Sequence, residues 1–310
     1  MKQRILITGS GVIGAYLAKE LIKKKYKVFV TSRFNKKNFI NYEYLKISTD
    51  VEFLKLDILN QNQIKKIIDR INPVKIFYFS GQSSLVRSLK FTKKTFESNY
   101  LGVKNFLEVI KKNKYNIGFF KANSGYIFES KSGIISLKSR LSKSKNPYIK
   151  AQIKAYSLIK KFRDKGVDCH SIVMLQVESP LRSKHFFIKK VCSNAKVGNK
   201  IKVGNINTVR DYSWATEIAQ GIYYFSQSKI KDIILSSGIG LSGTQILDEA
   251  YKLNNLNSKN FYQVSKKYLR GKEIKVLVGR DKNINDLYKK FKWKTKIAGI
   301  NIVKRMYKSI

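Results

Sequence analysis

Residues 5–14 read Ile-Leu-Ile-Thr-Gly-Ser-Gly-Val-Ile-Gly, and this run leaves the start of the chain few ways to fold. The apolar residues predict a buried strand. Gly9, Gly11 and Gly14 predict a tight turn into a helix that opens at Val12 and Ile13 and continues as Ala-Tyr-Leu-Ala-Lys-Glu-Leu-Ile. In such a turn the first glycine allows the bend and the second lets a pyrophosphate approach the backbone. The third brings helix and strand close, with the helix N–H groups aimed at the phosphates. A second apolar run, Tyr26-Lys-Val-Phe-Val-Thr, follows at the spacing of a βαβ unit and strengthens the reading.

The alternation continues. Strands are expected near 4–8, 26–31, 51–55, 74–79, 117–122 and 170–175, and helices near 12–24, 61–71, 95–112 and 147–165. This order implies an α/β fold, a Rossmann-type doubly wound parallel sheet covered on both faces. Pro73 ends the helix before the fourth strand. Beyond about residue 175 the pattern loosens into short strands, loops and a helix near 243–253. The expected division is therefore a Rossmann domain over 1–175 and a smaller α/β cap over 176–310, interleaved with the sheet.

Composition narrows the classes. No stretch is long and apolar enough to span a membrane. Met-Lys-Gln-Arg runs straight into the first strand without a signal peptide, so a soluble cytoplasmic protein is expected. Cys169, Cys192, His170 and His185 match no metal or redox spacing, and no metal is expected. Lys and Arg number 63 against 20 acids, a formal charge of +43. Phosphate neutralisation on nucleic acid would use such a charge. The lysines, however, are spread along the chain without a basic tail, and Lys, Asn, Ile, Tyr and Phe are all abundant. That pattern favours residue-usage bias over nucleic-acid binding.

Several blocks together resemble the extended short-chain dehydrogenase/reductases, the nucleotide-sugar epimerase/dehydratase family, and within it the GDP-mannose 4,6-dehydratases. Leu56-Asp57-Ile58 resembles the family segment that sets an Asp beside the adenine. Phe79-Ser80-Gly81-Gln82-Ser83 is similar to Leu-Ala-Ala-Gln-Ser over the cofactor, and Asn99 to Glu108 resembles the helix that follows. Asn146-Pro147-Tyr148 is similar to the family's Ser-Pro-Tyr. Glu178-Ser179-Pro180-Leu181-Arg182 and Phe186 to Lys190 resemble Asn-His-Glu-Ser-Pro-Arg-Arg and Phe-Val-Thr-Arg-Lys, with Gln176 in the place of the Asn. Val203-Gly204-Asn205, Arg210-Asp211-Tyr212 and Tyr268-Leu269-Arg270 through Glu273 resemble the stretches that cradle the nucleotide.

The resemblance implies a cofactor site at Gly9, Gly11, Val12, Ile13, Gly14, Arg33, Asn35, Asp57, Ile58 and Gln82. It implies a substrate site for a nucleotide-diphosphate sugar, GDP-linked, at Gln176, Glu178, Arg182, Lys189, Arg210, Arg270 and Glu273. Arginines suit a diphosphate because the guanidinium bonds it in a bidentate way. After the second strand an NAD enzyme usually carries an acid for the ribose 2′-hydroxyl. Here the segment is Thr31-Ser32-Arg33-Phe34-Asn35, and Arg33 suits a 2′-phosphate, so NADP is expected over NAD. Family pairing through the helices near 95–112 and 147–165 implies a homodimer or higher homo-oligomer.

The catalytic pattern is incomplete. The family uses a Tyr, a Lys four residues later that lowers the Tyr pKa, and a Ser or Thr on the same sugar oxygen. Tyr148 and Ser124 fill two positions, but the Lys position is Gln152. Lys150 and Lys154 point away from the face of position 152 by helical periodicity. Tyr156 and Lys160 make a literal Tyr-x-x-x-Lys about 12 Å further along the helix, outside the Asn-Pro context. The dehydratase Glu shortly after the Ser is replaced by Tyr126. Three readings follow: hydride transfer at sugar C4 in deoxysugar or polysaccharide synthesis, a true 4,6-dehydratase, or a non-catalytic protein that still binds nucleotide sugar or dinucleotide.

Overall fold

In the computed structural model, which describes residues 2–33, 39–268 and 273–310, the first strand, Arg4–Thr8, is buried at Ile5, Leu6 and Ile7. It lies inside a seven-stranded parallel sheet. The order is Asp232–Leu235, Cys169–Met174, Gly118–Ser124, Lys75–Tyr78, Arg4–Thr8, Lys27–Ser32, Val51–Lys55. Arg4–Thr8 pairs in register with Lys27–Ser32 on one side and with Lys75–Tyr78 on the other. A strand flanked on both edges and covered on both faces needs continuous apolar sequence, which Ile-Leu-Ile supplies.

Helices cover the sheet, and their ends are written locally. Gln61–Ile71 starts where the Asn60 side chain accepts from the Gln63 N–H at 3.0 Å, and stops where Asn72 turns left-handed at φ 47°. Pro147–Arg163 has Pro in its first turn, and the Asn146 side chain accepts from the Tyr148 and Ile149 N–H groups at 3.0 and 3.4 Å. That cap places Tyr148 in the first turn. Leu6, Phe29, Ile76, Phe106, Phe119 and Ile159 meet in one core. Each such buried side chain contributes about 1.5–3 kcal/mol.

The helix expected over 95–112 is not regular. Thr92–Phe96 passes through a π turn, Glu97–Leu101, into Gly102–Lys112. The π turn carries Asn99, which is buried and tied to the Gln82 carbonyl at 3.1 Å and the Thr95 carbonyl at 3.0 Å. Such insertions widen a helix by one residue and commonly mark functional positions.

The chain forms two compact units. The first holds residues 1–127, 141–173 and 219–233, and the second holds 128–140, 174–218 and 234–310. Within the second unit, Gln176–Glu178, Val209–Trp214, Val276–Gly279 and Ile134–Ile135 form a sheet in that order, with Gly240–Ser242 antiparallel to Val209–Trp214. Asp211 is fully buried there and accepts from the N–H groups of Ser237, Gly238 and Gly279 at 3.0, 2.9 and 3.2 Å. The helices Phe187–Lys196, Gly243–Lys252 and Ile300–Ser309 share a core of Val191, Ile246, Leu247, Val303 and Met306. A Ser242–Gln245 capping box opens the middle one. No helix among the described residues is long and apolar enough to cross a membrane.

Candidate active site

The glycine turn opens a cavity of about 540 Å³ in the first unit. Gly9 has φ +90°, and its N–H donates to the Thr31 carbonyl at 2.9 Å. A Cβ on Gly9 would meet the Ser80 nitrogen at 2.9 Å, and one on Gly14 would meet the Gly9 carbonyl at 2.8 Å. A Cβ on Gly11 would meet nothing within 4 Å, because Gly11 borders the cavity. Gly11 is also the cap of the helix Val12–Lys23, with no side-chain cap and no acid in the first turn. Val12 and Ile13 open that helix, half-buried.

The same cavity is lined by Arg33, Asp57, Ile58 and Gln82. Asp57 turns its carboxylate to accept from the Leu59 N–H at 3.0 Å. The Gln82 side chain is fixed in place: it accepts from the Ser84 N–H at 2.6 Å and donates to the Thr95 hydroxyl at 3.1 Å. Arg33 is exposed at the rim. Asn35 lies outside the described residues.

A second cluster stands in the same unit. Ser124 ends the strand Gly118–Ser124, and its hydroxyl accepts from the Tyr126 N–H at 3.4 Å. Burial raises the Tyr148 pKa above the ordinary 10.0; the Ser124 and Gln152 side chains act against that shift, and Tyr126 adds to it. Gln152 is buried and donates to Asn99 Oδ1 at 2.9 Å. Ser124 and Gln152 both act on the Tyr148 oxygen, as acid/base chemistry on one oxygen requires.

In the second unit, Glu178 is 2% exposed and its Oε2 has no hydrogen-bond partner among the described residues. Desolvation raises its pKa from 4.5 to about 7, against the opposing charges of Arg182 and Lys189. The Arg182 guanidinium lies 3.2 Å from the centre of the Phe186 ring, and its Nε also lacks a hydrogen-bond partner among the described residues. Lys189 donates to the Pro180 carbonyl at 2.6 Å. Arg210 donates to the Val209 carbonyl at 2.8 Å and stands 4.0 Å from the Glu273 carboxylate. Gln176 pairs in register with Tyr212. Arg270 lies outside the described residues.

The model of the family described as GDP-mannose 4,6 dehydratase matches residues 6–306. The chain belongs to that family. The GDP-mannose 4,6 dehydratase of Dictyostelium discoideum is 22% identical over 97% of this chain and 94% of its own length. GDP-mannose 4,6 dehydratase 2 of Arabidopsis thaliana is 24% identical over 97% and 85%. Among solved structures, UDP-glucose 4-epimerase of Thermotoga maritima with UDP-glucose aligns with a TM-score of 0.85 at 16% identity, covering 99% of each chain. The dTDP-glucose 4,6-dehydratase of Bacillus anthracis in complex with NAD aligns at 0.83 and 17%, over 99% and 96%. The fold of this GDP-mannose 4,6-dehydratase family member is therefore that of the nucleotide-sugar short-chain dehydrogenase/reductases.

Sequence reasoning missed one residue that touches this cluster. Lys121, two positions from the face-sharing Phe119 and Asn123, donates from Nζ to Gln152 Oε1 at 3.2 Å. A lysine inside the apolar run Gly-Phe-Phe-Lys-Ala was the signal available. The literal Tyr-x-x-x-Lys further along is a packing feature: Lys160 is exposed and lies 4.6 Å over the buried Tyr156 ring.

Glu178 predicts a pH effect on stability. Its folded pKa is raised, so the folded state holds a proton that the unfolded state releases from about pH 4.5 upward. Stability is lost as pH rises from there through about 7. Glu178→Gln should be more stable than the wild type at pH 8, with the advantage disappearing by pH 4. Thermal denaturation of both proteins across that range reads it out, and an advantage independent of pH would refute the assignment.

Proposed function

We propose that this family member binds NADP at the glycine turn and carries out reversible hydride transfer at C4 of a GDP-linked hexose, in deoxysugar or polysaccharide synthesis. The observation that carries the reading is the convergence of Gly9, Gly11, Arg33, Asp57 and Gln82 on one cavity. The open space at Gly11 and the uncapped helix start fit a diphosphate. Arg33 at the rim fits a 2′-phosphate, and Asp57 and Ile58 fit the adenine end. Bound there, the nicotinamide supplies the hydride acceptor or donor.

The remaining chemistry belongs to the chain. Tyr148 takes up or returns the proton of the sugar hydroxyl at its phenolic oxygen, and Ser124 holds the same oxygen. Glu178, Arg182, Lys189, Arg210 and Glu273, with Gln176 and Arg270, are assigned to the nucleotide diphosphate. The unpartnered Glu178 Oε2 and Arg182 Nε support this, because buried polar atoms are seldom left unpaired without a reason. Tyr126 stands two residues after Ser124 and offers no carboxylate for abstraction at C5, which favours oxidoreduction over elimination. A homodimer and a cytoplasmic location belong to the same reading.

Titration calorimetry of NADPH and NADH into wild type and Arg33→Asp tests the coenzyme. The wild type should prefer NADPH by at least about tenfold, and the variant should lose or reverse that preference. Equal wild-type affinities would refute it. Incubation with NADP and GDP-, dTDP- and UDP-hexoses, followed by mass spectrometry, identifies the sugar. A dehydrated keto product would establish elimination instead, and binding without turnover would establish the non-catalytic reading.

A further inference from the structure

Lys121 has no packing reason to be a lysine. It is 2% exposed, in the middle of the strand Gly118–Ser124. It stands in register with Tyr78 of the neighbouring strand, whose ring centre is 5.8 Å from Nζ. A Met or Leu would fill the same volume without the cost of burying an amine. Desolvation lowers its pKa from 10.5 to about 7, and no carboxylate contributes. The neighbouring strands carry Lys75, Tyr78, Cys169 and His170, and the helix Pro147–Arg163 carries the buried Tyr148 and Tyr156 with Lys150, Lys154, Lys160, Lys161 and Arg163. The acid on the π turn, Glu97, lines the glycine-turn cavity instead.

The polar partners of Lys121 lead to the acid/base. Nζ donates to the Ala122 carbonyl of its own strand and to Gln152 Oε1 at 3.2 Å. Gln152 donates to Asn99 and stands one turn after Tyr148 on the helix Pro147–Arg163, where its effect favours the phenolate. An ammonium on the amide oxygen draws electron density from the amide and makes its N–H groups stronger donors, the cooperative effect of a buried chain of hydrogen bonds. Low local dielectric strengthens this further.

We propose that Lys121, reaching in from the sheet, supplies through Gln152 the cationic support for the Tyr148 oxygen that the neutral side chain at position 152 lacks. Lys121 is a positioning residue, since it acts through Gln152. The inference rests on Tyr148 being the acid/base. Its physical content, an electrostatic link from Lys121 to Tyr148, holds whether or not a sugar turns over. The support is present while Lys121 is protonated and fades as pH rises through its titration.

The test is NMR on protein carrying 13Cζ-tyrosine and 13Cε-lysine, with signals assigned by Tyr148→Phe and Lys121→Met. In the wild type the Lys121 signal should titrate near pH 7. The Tyr148 signal should move at the same midpoint, well below phenol ionisation. That movement should vanish in Lys121→Met and in Gln152→Leu, which keeps the lysine and breaks the link. A flat Tyr148 signal through the Lys121 transition, or unchanged movement in Gln152→Leu, overturns the proposal. If Lys121→Met fails to fold, the wild type and Gln152→Leu decide alone. In a hydride-transfer assay, Lys121→Met should lose about tenfold or more at neutral pH, and the exchange Lys121→Gln/Gln152→Lys should recover it. No turnover by any of these proteins would count against the catalytic reading of Tyr148, while the spectra still decide the link.

Discussion

Tyr148→Phe should lower hydride transfer by about 10²–10⁴-fold and leave coenzyme affinity unchanged. The hydroxyl is the only group of this residue that differs from Phe, and Ser124 and Gln152 act on it. The residue is 7% exposed, so Phe keeps its packing. Folding stability should fall by no more than about 1–3 kcal/mol, the cost of leaving the partners of a buried hydroxyl unpaired. Above the Lys121 transition the wild-type oxidation rate should rise toward alkaline pH, because burial holds the Tyr148 pKa above its ordinary value and little phenolate exists at neutrality. Following reduced nicotinamide by absorbance across pH, for both proteins and a panel of nucleotide hexoses, measures this. An unchanged rate in Tyr148→Phe would remove Tyr148 from the chemistry.

The second large effect separates two glycines of the same turn. Gly9→Ala should destabilise the fold and abolish coenzyme binding. Its φ of +90° costs a side-chain-bearing residue about 1–3 kcal/mol. The new methyl would also press on the Ser80 nitrogen and the Phe79 carbonyl at 2.9 and 3.0 Å, which are backbone atoms that cannot swing aside. Gly11→Ala should fold with stability within about 0.5 kcal/mol of wild type, as at sites away from close contacts. Its methyl enters open space at the cavity, so coenzyme affinity should still drop. Thermal denaturation and NADPH titration of both variants test the contrast. A Gly11→Ala protein that binds normally would place the phosphates elsewhere.

What the sequence revealed was local. Ile5-Leu-Ile followed by three glycines announces the strand Arg4–Thr8 and its turn, and Val51–Lys55 and Gln61–Ile71 fall where periodicity puts them. The strand Asp232–Leu235 was not found, because four residues, Asp-Ile-Ile-Leu, carry no period. The π turn at Glu97–Leu101 was not legible either: it follows from tertiary hydrogen bonds of Asn99, and its apolar spacing still reads as helix. Lys121 escaped for a related reason. Along the helix itself, at 100° per residue, no neighbouring lysine shares the face of position 152. The residue that reaches Gln152 comes instead from the sheet, thirty-one positions earlier, and contacts across layers leave no spacing in a sequence.

The strand order has a consequence for how the chain is made. Cys169–Met174 is flanked on its outer side by Asp232–Leu235, which belongs to a much later part of the chain. While the polypeptide leaves the ribosome, at about 5–20 residues per second, several seconds separate the two. During that interval Cys169–Met174 presents an open, apolar edge, with Ile172 and Val173 among its residues, to any other strand nearby. The last strand of the sheet therefore acts as a closing seal on the nascent chain, and truncation ahead of residue 232 leaves a product primed to aggregate.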